Sequence, residues 1–243
     1  MIALWNSSVL NASSFSTSRI MVAQTRAGGH SPPKKLKFQD KLLTRTTSTD
    51  VLLKKLKTLS AELAELEQLE ENPSGGYALE PVRRELVHQS ILLHKDKGVK
   101  AYAACCLADV LRLGAPNPPY EKHELTDIFH FFLRQLVQNL KSSDTPYYNQ
   151  YFLLLECIST VKCSALICEL PKSEELIEQF FKDCFKIVRY DLSKKVELFI
   201  VDILTVIIDE ARTIPSVVVT TLLAQFMDRN LVSSPSHTRA ICT

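Results

Sequence analysis

The sequence predicts an all-α protein: an α-solenoid of HEAT-like helical hairpins behind a disordered, basic N-terminal tail. Three observations predict it. Amphipathic segments recur in pairs, the first members beginning near residues 80, 123, 174 and 215 and the second near 98, 146 and 193. A spacing of roughly 40–50 residues per helix pair is that of HEAT and armadillo arrays. The 243 residues include only six glycines, four of them in the pairs Gly28-Gly29 and Gly75-Gly76, which disfavours turn-rich β architectures and phosphate-cradling loops. Finally, the stretch from His94 to Tyr120 contains a segment that is apolar almost all round. Val99, Ala103, Cys106, Val110 and Leu113 form one stripe and small residues fill its flanks, while Lys100, Asp109 and Arg112 leave a narrow wet edge. Such a helix is stable only inside a layer of other helices.

Residues 1–47 carry seven basic residues and one acid, Asp40, so the remainder is mildly acidic although the whole chain has a formal charge of +2. This tail is Ser/Thr-rich, has no sustained period, and reads as disordered. No basic region precedes its apolar residues, which argues against a secretory signal; its composition is compatible with a mitochondrial presequence. Ser31-Pro32 has the shape of a proline-directed kinase site and Lys34-Lys35-Leu36-Lys37 that of a weak nuclear-import signal, both most simply solvated tail. Seven cysteines, an odd number placed on apolar faces, fit a reducing compartment. The longest apolar run, Leu198 to Ile208, is interrupted by Asp202 and reads as a core helix, not a membrane span.

The helical array is assigned to residues 49–230. Thr49 or Asp50 is expected to cap a first helix running to about Glu70, with Leu52, Leu56, Leu59, Leu63, Leu66 and Leu69 at spacings of four and three. A packed amphipathic helix is the preferred reading of that pattern over a short coiled coil, and against a basic zipper stands Pro32-Pro33, which interrupts the upstream basic residues. Asn72 to Gly76 is a break. Residues 80–93 are expected to form one helix with Pro81 in its first turn and Leu86, Ser90 and Leu93 along one face, widened by Val82, Ile91 and Leu92. A tight turn at Asp96–Gly98 then starts the apolar helix that stops at Gly114. Residues 122–140 follow, with Leu125, Ile128, Phe129, Phe132, Leu136 and Leu140 inward. Thr145 should cap a helix through Tyr148, Phe152, Leu155 and Ile158, and Ser164 to Leu170 should add a short turn. Ser173 should cap the next helix, with Glu174 and Glu175 at its positive end. Residues 193–211 come next, and Pro215 opens a last helix containing Val218, Leu222 and Phe226. Residues 231–243 no longer read as part of the array.

No constellation for catalysis emerges. Cys105 and Cys106 are adjacent, Cys163 and Cys168 lack a matching pair, and His123 and His130 have no acidic third ligand, so no metal site is expected. Neither hydrolase nor metalloprotease motifs occur. The feature left over is Ala115-Pro116-Asn117-Pro118-Pro119-Tyr120. At its plainest it is a stiff connector. A rigid turn with an exposed tyrosine also makes a docking edge of low entropic cost, and loops on such scaffolds bind partners.

These residues resemble one family. Lys100 to Arg112, then Ala115, Pro116, Pro119 and Tyr120, then Asp127 to Phe129 and Phe132 to Leu136, are similar to sister chromatid cohesion regulators of the "precocious dissociation of sisters" type, fifth kind. Tyr148 to Glu156 and Lys195 to Asp202 continue the likeness, which has a fungal flavour. The match begins near Met21, so residues 1–20 are read as an upstream extension. Members are much longer, so the chain resembles an N-terminal part. The resemblance implies a non-enzymatic scaffold without cofactors, acting in the nucleus on the cohesin complex. Its implied partners are the kleisin subunit, the Wapl-type releasing factor and cohesion-establishment or protection factors, with chromatin reached indirectly and no membrane. The family's loop Ala-Pro-Asp-Ala-Pro-Tyr-Thr docks the releasing factor or its competitor, which assigns partner binding to Ala115, Pro116, Asn117, Pro119 and Tyr120. Asn117, Pro118 and Glu121 depart from that pattern, removing a carboxylate and a hydroxyl. The kleisin and inositol phosphate surfaces are expected beyond this chain. The competing reading is a generic adaptor or karyopherin-like solenoid with other cargo.

Overall fold

The computed structural model describes residues 36–44, 47–67, 79–188 and 192–227, and every described regular element is a helix. The chain divides into two compact units, the first ending at Tyr120 and the second beginning at Glu121.

In the first unit, α1 (Thr49–Glu65) begins at Ser48, whose hydroxyl accepts the Val51 N–H, and ends at Leu66. It stops short of the predicted end near Glu70, and Leu69 lies outside the described residues. Leu52, Leu56, Leu59, Leu63 and Leu66 are all buried, and α1 packs chiefly on α4 (Lys97–Gly114). The leucine repeat is therefore an intramolecular seam, as the packed-helix reading expected.

The helix predicted over 80–93 is two short ones, α2 (Glu80–Leu86) and α3 (Gln89–Leu92). His88 adopts an extended backbone between them, and its Nδ1 accepts the Ser90 N–H at 3.2 Å. The break turns the second piece about its axis. Ile91 and Leu92, expected to widen the apolar face, are buried, while Ser90 and Leu93, expected on it, are exposed.

Asp96 caps α4 by accepting the Val99 N–H at 2.8 Å. This helix is buried nearly all round, against α1, α2 and α3. The supposed wet edge at Asp109 and Arg112 is a correction. Asp109 is 2% exposed, and Arg112 Nε donates to its Oδ1 at 3.2 Å. Arg112 also donates to the carbonyls of Leu66 (3.1 Å) and Leu63 (2.9 Å), so one guanidinium serves the orphan carbonyls at the C-terminus of α1. Cys106 Sγ donates to the Leu56 carbonyl. Contacts at 56 with 106 and at 63–66 with 112 make α1 and α4 parallel.

Residues 36–44, counted with the tail on sequence grounds, are packed. Phe38 and Leu42 are buried, and main-chain N–H groups of this segment donate to Glu62 and Glu85.

In the second unit, α5 (Lys122–Asn139) starts with a capping box in which the side chains of Glu121 and Glu124 each accept the other's main-chain N–H. All six inward residues predicted for it are buried. Then follow α6 (Tyr148–Val161), a 3₁₀ helix (Cys163–Glu169), α7 (Ser173–Ile187), α8 (Lys194–Glu210) and α9 (Ser216–Met227). α5 packs on α6 and α7 on α8, as hairpins. α5 also packs on α7 and α7 on α9, while α6 packs on α8. First helices thus layer on first helices and second on second, which is the arrangement of HEAT-like hairpins. Phe129 anchors the first layer, its ring edge-on to Phe132 and Phe180 with centroids 6.2 Å away in each case. Phe152 meets Phe199 at 5.7 Å in the second layer.

Three caps differ from expectation: Ser48, not Thr49 or Asp50, caps α1. Tyr147 and Lys172 sit in the left-handed region, φ 64° and 57°, and open α6 and α7 without a side-chain cap. Thr145 lies in the preceding turn, and Ser173 is already helical. In α6 the buried stripe is Tyr151, Leu154, Leu155 and Ile158, with Tyr148 and Phe152 half-buried beside it. Val218 of α9 is buried, whereas Leu222 is half-buried and the side chain of Phe226 lies outside the described ones.

Candidate partner-docking loop

α4 ends at Gly114 because the chain turns back on it at once. A Cβ at Gly114 would stand 2.5 Å from Pro119 Cδ and 3.2 Å from Pro119 Cγ, a distance no side chain tolerates. Only glycine lets the proline ring lie on the helix end. Pro119 lying on Gly114 closes off the loop Ala115–Pro118 between them, with a cis bond between Ala115 and Pro116.

The other end of the loop is held by its tyrosine. Tyr120 was expected exposed and able to enter a partner's pocket; instead it is 7% exposed. The Arg83 guanidinium lies 5.8 Å from its ring centroid, a cation–π contact. Arg83 is in turn fixed by the Glu80 carboxylate, which also accepts from Arg84 Nε at 2.6 Å. The Arg83 hydrogen bond, seconded by Arg84, holds the Glu80 carboxyl below its usual range. Ala115 is buried as well. Asn117 is exposed, and Pro116, Pro118 and Pro119 are half-buried.

Of the five predicted site residues, then, Pro116, Asn117 and Pro119 form the accessible rim with Pro118, and Ala115 and Tyr120 form its foundation. Sequence reasoning missed Arg83, Glu80 and the role of Gly114. The Glu80–Arg83–Arg84 spacing signals only a local ion pair, and no local pattern ties it to a tyrosine 37 positions on. The rim offers flat proline faces, main-chain carbonyls and one amide. Groups of this kind offer contact surface and hydrogen bonds and carry no proton- or electron-transfer chemistry.

Elsewhere, His123 and His130 are exposed, and no group of three or more His, Cys, Asp or Glu side chains among the described residues could hold a metal ion. Desolvation raises the Cys106 and Cys163 thiols well above their ordinary range, Cys168 to about 11 and Cys184 to about 12. Such thiols are packing groups, not nucleophiles. No single described helix is long and apolar enough to cross a membrane.

Layered helical hairpins of this kind define a helical-repeat protein. The family model "Sister chromatid cohesion protein PDS5 protein" matches residues 50–242, past Asn230, where the sequence reading ends the array. The chain belongs to the PDS5 family of sister chromatid cohesion proteins. It is 35% identical over 196 residues to sister chromatid cohesion protein pds5 of Schizosaccharomyces pombe, covering 79% of this chain and 16% of the relative. The Saccharomyces cerevisiae protein PDS5 is 35% identical over 203 residues, 81% of this chain and 15% of its own length. PDS5 homolog A of Homo sapiens is 34% identical over 171 residues, 70% and 13% respectively. A solved structure described as "Structure of the Pds5-Scc1 complex and implications for cohesin function" superposes with a TM-score of 0.75 at 31% identity, over 86% of this chain and 32% of the other. The chain thus spans about one sixth or less of the length of these curated relatives.

Proposed function

We propose that this chain is a non-enzymatic scaffold in sister chromatid cohesion, acting in the nucleus on cohesin, and that the rim Pro116–Pro119 docks a short segment of a Wapl-type releasing factor or of the protection factor that competes with it. Family membership supports cohesion as the process, and the description of the related Pds5-Scc1 structure supports the cohesin kleisin as a partner. The observation that carries the docking role is the double clamp, Pro119 on Gly114 and Arg83 on Tyr120. A loop held at both ends loses little conformational entropy on binding, and that favours affinity from a small contact area.

Tyr120 works from beneath in this account: it fixes the shape of the rim and leaves direct contact to Pro116, Asn117 and Pro118. A fluorescently labelled releasing-factor peptide, titrated into the chain and followed by anisotropy, tests it. Asn117→Asp, which restores the carboxylate of the family loop, should tighten binding several-fold, and Asn117→Lys should weaken it. Equal affinities for wild type and both variants would refute docking at the rim.

A further inference from the structure

Residues 36–44 run along α1 antiparallel to it, as a strap without regular secondary structure. The N–H groups of Lys37 and Phe38 donate to Glu62 Oε2 at 3.0 and 2.9 Å, and that of Leu42 donates to Glu85 Oε2 at 2.6 Å. Lys55 Nζ donates to the Lys41 carbonyl at 2.5 Å. Phe38 and Leu42 are buried, and Gln39, Asp40 and Lys41 between them are exposed. One face of the unit is therefore already occupied as a peptide seat. Carboxylates on α1 and α2 read main-chain N–H groups, and two positions four residues apart are filled by an aromatic and a leucine.

We propose that this seat, built on Glu62 and Glu85, is a second docking surface, filled in cis by residues 36–44 and open in trans to a partner segment carrying an aromatic residue four positions before a leucine. Three features support it. First, main-chain recognition tolerates sequence change, so the seat does not require this strap, and specificity rests on the two buried side chains. Second, Gln39, Asp40 and Lys41 are exposed between the two buried anchors, so a partner segment can differ from the strap at those positions and still fill the seat. Third, the strap is held by two apolar anchors and a few hydrogen bonds. Just ahead of α1, the Thr44 N–H donates to Thr47 Oγ1 and the Thr47 N–H to the Thr44 carbonyl. The strap can lift without unwinding α1, so it belongs among the segments that open locally. Tethering gives it a high effective concentration, which makes it a competitor that a partner segment must displace.

The test uses the full chain and a labelled synthetic peptide with the sequence of residues 36–44. Phe38→Ala/Leu42→Ala should empty the seat and bind the peptide at least tenfold more tightly than wild type, and adding Glu62→Ala should abolish that gain. A folded double variant that fails to take the peptide, or a wild type that takes it equally well, overturns the proposal. If circular dichroism shows the double variant unfolded, amide hydrogen exchange of the wild type decides. The amides of Lys37, Phe38 and Leu42 should exchange well ahead of those of Leu56 and Leu59, and exchange at the same rate as α1 overturns it.

Discussion

The clamp at the end of α4 makes a prediction whose sign opposes ordinary helix chemistry. At an open helical position Gly→Ala stabilises by about 1 kcal/mol. At Gly114 the new methyl group would lie 2.5 Å from Pro119 Cδ. A proline ring is part of the backbone and cannot rotate aside, so the loop itself must move. Overpacking of this kind costs about 1–3 kcal/mol. Set against the propensity gain, Gly114→Ala should be destabilising by roughly 0–2 kcal/mol. At about 2–4 °C per kcal/mol for a chain of this size, the melting temperature should fall by at most roughly 8 °C. The functional consequence should exceed the thermodynamic one. Displacing Pro119 pulls Tyr120 from beneath Arg83 and distorts the rim, so the releasing-factor peptide should lose affinity at least tenfold while helical circular dichroism is retained. Both quantities are accessible, by thermal and urea unfolding and by anisotropy. A variant that melts a few degrees higher and binds the peptide as wild type does would refute the clamp.

Other substitutions test the packing. Arg112→Ala removes the guanidinium from Leu63 O, Leu66 O and buried Asp109. It should cost about 3–5 kcal/mol in urea unfolding, with Arg112→Lys recovering less than half because one ammonium cannot span the fork. Phe129→Ala, in the aromatic layer joining α5 to α7, should cost about 3–5 kcal/mol, and a loss below 1 kcal/mol would contradict the layered arrangement. The thiols make stability depend on pH. Their folded-state pKa values are raised from 9.0, Cys168 to about 11 and Cys184 to about 12, so the unfolded chain loses its protons first. Stability should be unaffected by these groups below pH 9 and fall as pH rises from 9 through 12. Cys184→Ala should flatten that fall, and an unchanged slope would contradict burial of the thiol.

Much of this architecture was legible because it rests on periodicity. The inward set of α5, from Leu125 to Leu140, follows from helical spacing alone, and so does the pairing of helices in the second unit. What was not legible depends on contacts distant in sequence. His88 breaks a helix that propensity would continue, since an extended backbone there lets its ring accept the Ser90 N–H. Asp109 and Arg112 look like a solvated edge until the C-terminus of α1 is placed beside them. The strap at 36–44 has the composition of a tail, and its order comes from Glu62 and Glu85, 24 and 43 positions away from the amides they hold. The loop was visible as proline-rich punctuation; which of its residues face solvent depends on Arg83, and the expectation for Tyr120 failed for that reason.

The most direct test of the docking account is contact at a single position. A photo-crosslinking amino acid placed at Asn117 in the full chain, mixed with the intact releasing factor and irradiated, should give a covalent adduct that an excess of the docking peptide suppresses. The same group at Lys172, exposed in the second unit, should give none. Absence of the adduct at 117, or equal adducts at both positions, would contradict the account.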